Sequence, residues 1–420
     1  MRHRTFVPFV LLAGIALSLF SIQAAARFGL ARVFTRYALL ANSVSAADEA
    51  VRLSPFDPEV HRARATLLNR LQRPAEAAQA LESALALRYR DDYLWIDLGN
   101  TREELGDANG ALAALDQAVR WAPYYAHTHW QRGNLLLRMG RTNDAFTDLR
   151  SAASANQSYG PNLIDLAWGI SAGDLKTAET LLDLDDDASR NAEDAKRLAF
   201  IHFLATKGKG KEAIAEIHSL HTELPVDTRN ELVRLLFAAK SFTEAATLAG
   251  VSEASLTHSG FEDPFVFNDT AFGWINAPQQ RVRFAIDVSE KLSGANSLQI
   301  NLDGAWAPGT PLVSQTFIVK PSGHYRLSFA VKTKDLVTGG PPVLTVVDAT
   351  NDQVLAKSEN FPSGTTAWGK LHVEFTALPT SQAATIRLQR SNCDSSPCPI
   401  FGTLWLDEFF IEQTQGSSNH

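Results

Sequence analysis

The residues able to do chemistry in this 420-residue chain are few and scattered. Gly169-Ile170-Ser171-Ala172-Gly173 has the spacing of a nucleophile elbow, where a serine projects from a sharp turn between a strand and a helix. A helical pattern precedes it and no strand does, so it reads as a helix end and its turn. Asp183-Leu184-Asp185-Asp186-Asp187-Ala188-Ser189 spaces its carboxylates like a calcium loop. Ala188, however, stands where that loop needs glycine, and the run reads as a solvated acidic linker. His127-x-His129 and His218-x-x-His221 lack a carboxylate or cysteine at ligand spacing and read as surface histidines. Cys393 and Cys398 are the only two cysteines, which excludes a disulfide framework, an iron–sulfur cluster and a cysteine-built zinc site. Four residues separate them, room for a small disulfide loop in an oxidising compartment. Two free thiols in a cytoplasmic loop are the alternative.

Composition narrows the classes further. Hydrophobic residues make up 45% and charged residues 20%, which suits a folded chain and argues against disorder. The length predicts two or three folded units. A net charge of −7 offers no surface for tracking phosphates, so no nucleic-acid partner is expected.

The first 26 residues read as a membrane address. A basic start, Met1 to Arg4, is followed by Phe6 to Ala26, 21 residues without a charge. About 20 apolar residues cross a bilayer, so the stretch predicts a retained single-pass anchor. Cleavage at Ala24-Ala25-Ala26 and a buried soluble helix are the alternatives. Retention is favoured because the helical pattern continues to Phe34 without a turn signal. Arg27, Arg32 and Arg36 put positive charge on the far flank as well and weaken the orientation signal. The expected location is the inner membrane, with the bulk of the chain in the periplasm.

The middle of the chain repeats with a period of 34 residues. Ala65, Gly99, Gly133 and Ala167 fall on this step, as do Ala77, Ala111 and Ala145; Leu81, Leu115 and Leu149; and Ala84, Ala118 and Ala152. Small residues let helices approach closely, while Gly106 and Gly140 supply the turns between them. Pro123 ends a unit. From about Arg36 to Pro161 the chain resembles the tetratricopeptide family, through Trp95-x-x-Leu98-Gly99, Gly106, Ala111, Leu115, Ala118 and the closing proline. Degenerate helix pairs extend the α-solenoid over 27–256. The resemblance places a protein-binding groove on the first helix of each pair, at Arg62, Asn69, Asn100, Glu103, His127, Trp130 and Asn134. Trp130 is the strongest of these, as an exposed indole suits a contact.

From 257 to 414 the period changes to that of strands. Val282, Phe284, Ile286 and Val288 alternate, as do Tyr325, Leu327, Phe329 and Val331, with Gly, Pro, Asn and Ser clusters between such runs. Seven to nine short strands predict an antiparallel β-sandwich. Residues 415–420 read as a disordered tail. Gly260-Phe261-Glu262, Phe272-Gly273-Trp274, Tyr325-Arg326-Leu327-Ser328-Phe329 and Leu404-Trp405-Leu406-Asp407-Glu408-Phe409 make the region similar to galactose-binding-like jelly rolls, especially carbohydrate-binding modules of families 4, 9 and 22. That resemblance implies a structural calcium held by Glu262 and Asp407, which would pin the first strand to the last. Sugars need an aromatic platform with polar flanks. Trp306 is the platform expected, with Gln315, Arg326, Gln389 and Arg390 as polar contacts. Trp274, Trp368 and Trp405 abut strand patterns and read as core. Arg390 is in phase with Ile386 and Leu388, which would turn it inward and demand a partner.

The whole predicts a non-catalytic envelope scaffold, helical array first and β-sandwich second, with no catalytic cofactor. The solenoid would hold a protein and the sandwich a polysaccharide. The architecture is similar to proteins that accompany exopolysaccharide or surface-protein export. A sugar-inactive assembly factor is the main alternative, and a glycan-active hydrolase a lesser one, for want of a paired-carboxylate cleft or an activated nucleophile.

Overall fold

The structure is a computed structural model that describes residues 6–185, 190–262, 264–304, 306–393 and 397–414. The basic start, Asp186 to Ser189 of the acidic run, Asp394 to Ser396 and the tail lie outside the described residues. Among the described residues, helices come first and strands follow, the α-then-β order expected. By contact the chain divides into two compact units, residues 1–185 and 186–420.

In the first unit, α1 (Phe6–Ala41) runs unbroken through the apolar stretch and on to α2 (Val44–Leu53). Its Leu11–Ala41 portion contains an 18-residue window of mean hydropathy 1.6 and is long and apolar enough to cross a membrane. In the last third of the helix one face is already used: Ala31 and Ala38 are buried, and Arg32 lies 3.5 Å from Asp57. Pairs follow as α3 (Pro58–Arg70) with α4 (Pro74–Leu87), α5 (Asp92–Glu104) with α6 (Ala108–Trp121), α7 (Ala126–Arg138) with α8 (Thr142–Ala155), and α9 (Gly160–Ile170) with α10 (Leu175–Leu182). A 3-10 turn, Gln157–Tyr159, precedes α9.

The 34-residue columns are the packing seam. The alanine and leucine columns are buried throughout, and Gly99 and Gly133 sit against the leucines of the next helix. Gly106 and Gly140 turn the chain at φ of 78° and 75°, where side chains crowd the backbone. One further periodic device links the pairs. Rings at His61, Trp95 and His129, also 34 apart, bond the turn carbonyls of Pro55, Tyr89 and Pro123 at 2.9, 2.8 and 2.8 Å. Each bond satisfies a carbonyl that the preceding helix leaves without an amide partner.

The second unit contains α11 (Arg190–Thr206), α12 (Gly210–His218), α13 (Val226–Ala238) and α14 (Phe242–Ala249), then ten strands. These are β1 (Ile275–Asn276), β2 (Val282–Asp287), β3 (Ser297–Asp303), β4 (Val313–Ile318), β5 (His324–Thr338), β6 (Pro342–Asp348), β7 (Val354–Lys357), β8 (Gly369–Thr376), β9 (Ala383–Arg390) and β10 (Ile400–Thr414). They form two antiparallel five-stranded sheets, ordered β1-β4-β9-β6-β7 and β2-β3-β10-β5-β8. Inward residues of both, such as Phe317, Ile386, Leu298, Phe329 and Leu404, share one apolar core. Alternation made most strands legible; the two-residue β1 is too short to show a period.

Secondary structure changes near residue 256, but the contacts do not divide there. The Phe237 ring of α13 meets Phe272 edge-on at 5.2 Å, Arg234 bonds the Asp269 carbonyl at 3.2 Å, and the Ala254 amide bonds the Ile318 carbonyl at 3.0 Å. The last helices thus pack as part of the sandwich unit.

Candidate functional site

The first-helix face of the solenoid is held by bonds between pairs. Arg62 on α3 reaches Asp97 on α5 at 2.7 Å, with its guanidinium 5.7 Å from the Tyr93 ring centre. Asn69 donates to Thr101 at 2.7 Å, and Arg138 on α7 forms a two-pronged ion pair with Glu103 on α5. The Tyr93 and Tyr125 hydroxyls meet at 2.6 Å. Burial of Asp97, partly offset by Arg62, leaves its carboxyl above the usual range. The Tyr93 hydrogen bond pushes the Tyr125 phenol up.

Arg62, Asn69 and Glu103 are therefore braces, a correction to the expectation of open groove contacts. Trp130 is corrected too. It is half-buried and stacks on Tyr159 from the 3-10 turn, with ring centres 4.6 Å apart. His127 packs edge-on against Tyr125. Asn100 and Asn134 differ: they stand one period apart on α5 and α7, and both are half-buried. The Asn100 side chain has no hydrogen bond within the described residues. Asn134 donates to the Trp130 carbonyl at 2.8 Å, which leaves its amide oxygen facing no donor. Each amide offers groups complementary to a peptide unit.

The catalytic look-alikes resolve into structure. The Ser171 hydroxyl donates to the Trp168 carbonyl in the α9 turn. His129 bonds Asp148 at 2.9 Å, and Arg132 grips the same carboxylate. His221 bonds Asp194 at 3.2 Å. Backbone and Thr222 donors hold that Asp194 carboxyl at about 2.

In the sandwich, three of the five expected sugar contacts are interior. Trp306 is 2% exposed, its indole nitrogen donating to the Thr310 carbonyl at 2.8 Å, so no face is open to a sugar. Gln315, fully buried, ties Thr257 to Phe272 through bonds of 2.6–2.9 Å. Arg390 turns inward, as its phase demanded, and its partners are carbonyl oxygens, the Thr338 hydroxyl and the Cys393–Cys398 disulfide. Gln389, on β9, donates to Thr345 at 2.7 Å, and Arg326, on the other sheet, lies 3.8 Å from Glu374. The five do not converge. A large aromatic side chain in a loop, such as Trp306, looks alike in sequence whether it packs inward or faces water.

Glu262 and Asp407 do meet at one loop, but through backbone donors. Glu262 accepts the Ala295 amide at 3.0 Å, and Asp407 accepts those of Leu292 and Ser293 at 2.9 and 3.2 Å. A β-carbon at Gly294, where φ is 63°, would fall 1.9 Å from Glu262 Oε1, so the loop closes tightly on the acid. N–H groups aimed at these oxygens do not fit a cation, and no cluster of three acidic, histidine or cysteine ligands occurs among the described residues.

Sequence reasoning missed a polar network on the outer face of β2, β3 and β10. Asp287 accepts from the Trp405 indole at 2.9 Å and from Gln299 at 3.0 Å. Asn301 bridges Gln299 and Thr403 at 3.0 and 2.9 Å. Against the effect of burial, donors from Ser289 and Trp405 hold Asp287 at about 2. The signal was present: with Leu404 and Leu406 inward, Trp405 falls on the other face of β10, where it is nonetheless buried, at 5% exposure.

Residues 93–125 match the tetratricopeptide repeat. That stretch is α5, α6 and the turn into α7, the pair that carries Asn100. Protein FlbA of Caulobacter vibrioides is 31% identical over 98 residues; the match covers 23% of this chain and 16% of that relative's length. Among solved structures, MamA from Desulfovibrio magneticus RS-1 is 18% identical, covering 37% of this chain and 90% of that one, with a TM-score of 0.32. Pseudomonas aeruginosa PilF is 17% identical, covering 54% and 98%, with a TM-score of 0.34. Both scores fall well short of a shared global fold.

Proposed function

We propose that this chain is a non-catalytic, membrane-anchored scaffold that holds an extended segment of a protein partner along α5 and α7. The observation behind this reading is the pair Asn100 and Asn134, one repeat apart, with amide groups unspent on a face otherwise braced. An extended peptide offers a carbonyl and an N–H at every residue, and repeated carboxamides can bind both without reading sequence. Tyr93 stands seven residues before Asn100 on α5 and so shares its helix face, adding an apolar ring to it. The helix α1 supports anchoring, and the pairing of Cys393 with Cys398 supports placing the sandwich on the oxidising side.

The test is site-specific photo-crosslinking in cells. A crosslinker at position 100 or 134 should trap the same partner, while one at exposed Ser83 on α4 should not. Adducts equal at all three positions, or absent from 100 and 134, overturn the reading.

A second reading puts a glycan on the outer face built around Asp287, Gln299, Asn301 and Thr403, whose side chains form a hydrogen-bonding row on the sheet. Retention of the full chain on immobilised polysaccharides, lost in Asn301→Ala, would support it; equal retention of both proteins would exclude this face.

A further inference from the structure

Arg390 is a guanidinium enclosed without a carboxylate. It is 2% exposed, and no acidic residue among those described pairs with it. Burial alone draws its ionisation down from the ordinary arginine value. Its five donors are instead shared among the carbonyl oxygens of Gly340 (3.0 Å), Trp306, Cys398 (3.0 Å) and Pro399 (3.4 Å), and the Thr338 hydroxyl (2.8 Å).

The remaining contact is to sulfur, and it is asymmetric. Nη2 lies 2.8 Å from Cys398 Sγ but 3.6 Å from Cys393 Sγ. Cys393 rests on the β5–β6 turn, where a β-carbon at Gly340 would stand 2.5 Å from its sulfur. Both cysteines are half-buried, between exposed Asn392 and exposed Pro397 and Pro399. A fixed cation beside a sulfur stabilises its thiolate, and the sulfur with the lower thiol pKa leaves faster in exchange.

We propose that Cys393–Cys398 is an exchangeable disulfide, opened by a dithiol reductant that attacks Cys393 while Arg390 steadies Cys398 as the departing thiolate. In the first step a reductant thiolate forms a bond to Cys393 Sγ; the Cys393–Cys398 bond breaks and its electron pair goes to Cys398 Sγ. In the second step the reductant's other thiolate displaces Cys393, which leaves as a thiolate and takes a proton from water. The dithiol gives up two electrons and ends as a disulfide, and the chain ends with two reduced cysteines. Arg390 acts here as a positioning residue.

The test uses the full chain in detergent. Brief treatment of the disulfide form with glutathione, followed by acid quench and fragment mass analysis, should place the mixed disulfide on Cys393. After full reduction, alkylation across pH should titrate Cys398 at least one unit below Cys393. Arg390→Gln should slow opening by dithiothreitol roughly tenfold, with Arg390→Lys recovering part of the rate. Glutathione on Cys398, equal titration of the two thiols, or an unchanged rate in a folded Arg390→Gln protein would overturn the proposal. Should Arg390→Gln fail to fold, adduct position and thiol titration in the unmutated protein decide it alone.

Discussion

Gly133 and Leu149 occupy adjoining halves of one space: a β-carbon on Gly133 would lie 2.8 Å from Leu149 Cγ and 3.1 Å from the Ala145 carbonyl oxygen. Gly99 stands likewise 2.8 Å from Leu115 Cγ, with the Ala111 carbonyl a little farther away at 3.3 Å. The same period thus carries the same fit, one side slightly looser.

Alanine at either glycine should therefore destabilise the helices. Overpacking costs about 1–3 kcal/mol, and the gain in helix propensity returns about 1 kcal/mol. Thermal melts followed at helical wavelengths should fall for both variants, and further for Gly133→Ala than for Gly99→Ala. A rise in either melting temperature would contradict this account of the column.

Position 72 offers the opposite change. Gln72 is at φ 59°, in the turn where the next two pairs use Gly106 and Gly140. Left-handed backbone costs an ordinary residue about 1–2 kcal/mol, and glycine relieves it at some cost in chain entropy. Gln72→Gly should stabilise the protein by about 0.5–1 kcal/mol, read as a higher melting temperature.

His129 gives the first unit a pH dependence. The Asp148 hydrogen bond raises its pKa above the ordinary 6.5. A raised folded pKa adds stability that is full below the unfolded value and disappears as pH climbs through the folded one. The protein should therefore lose stability as pH rises above about 6.5, and His129→Gln should flatten that part of the curve. Asp148 works in the opposite sense, its pKa lying below 3.8 under the net effect of His129 and Arg132 against its own burial. Its contribution is present above the unfolded value and lost on acidification.

The Glu262–Asp407 loop should be insensitive to chelation. Its closure rests on amide donors, so calcium or chelator should leave the melt of the β-sandwich unchanged. Asp407→Ala removes the acceptor of the Leu292 and Ser293 amides and should cost about 0.5–1.5 kcal/mol. A melting temperature that rises with calcium would return the ion to this site.

The helix pairs and the alternating strands could be read from residue order because both depend on local period. A buried seam repeats every 34 residues along the solenoid, and a strand shows its two faces every second residue. The same logic located the inward phase of Arg390, whereas Glu262 and Asp407 were brought together by the resemblance to galactose-binding-like modules, as cation ligands rather than as the acceptors of amide bonds that they are. It could not tell Trp306 from an exposed platform. A loop has no period, and the sandwich core that buries this indole is assembled from strands far along the chain.

What the chain order determined by itself is the succession of apolar helix, helical repeat and β-sandwich, each a consequence of short-range hydrophobic patterning. Tertiary structure alone decided which polar groups remain unspent. Hydrogen bonds join residues such as Arg62 and Asp97, or Arg390 and Gly340, that lie far apart in the chain. Until those partners meet, a brace and a binding contact are the same amino acid.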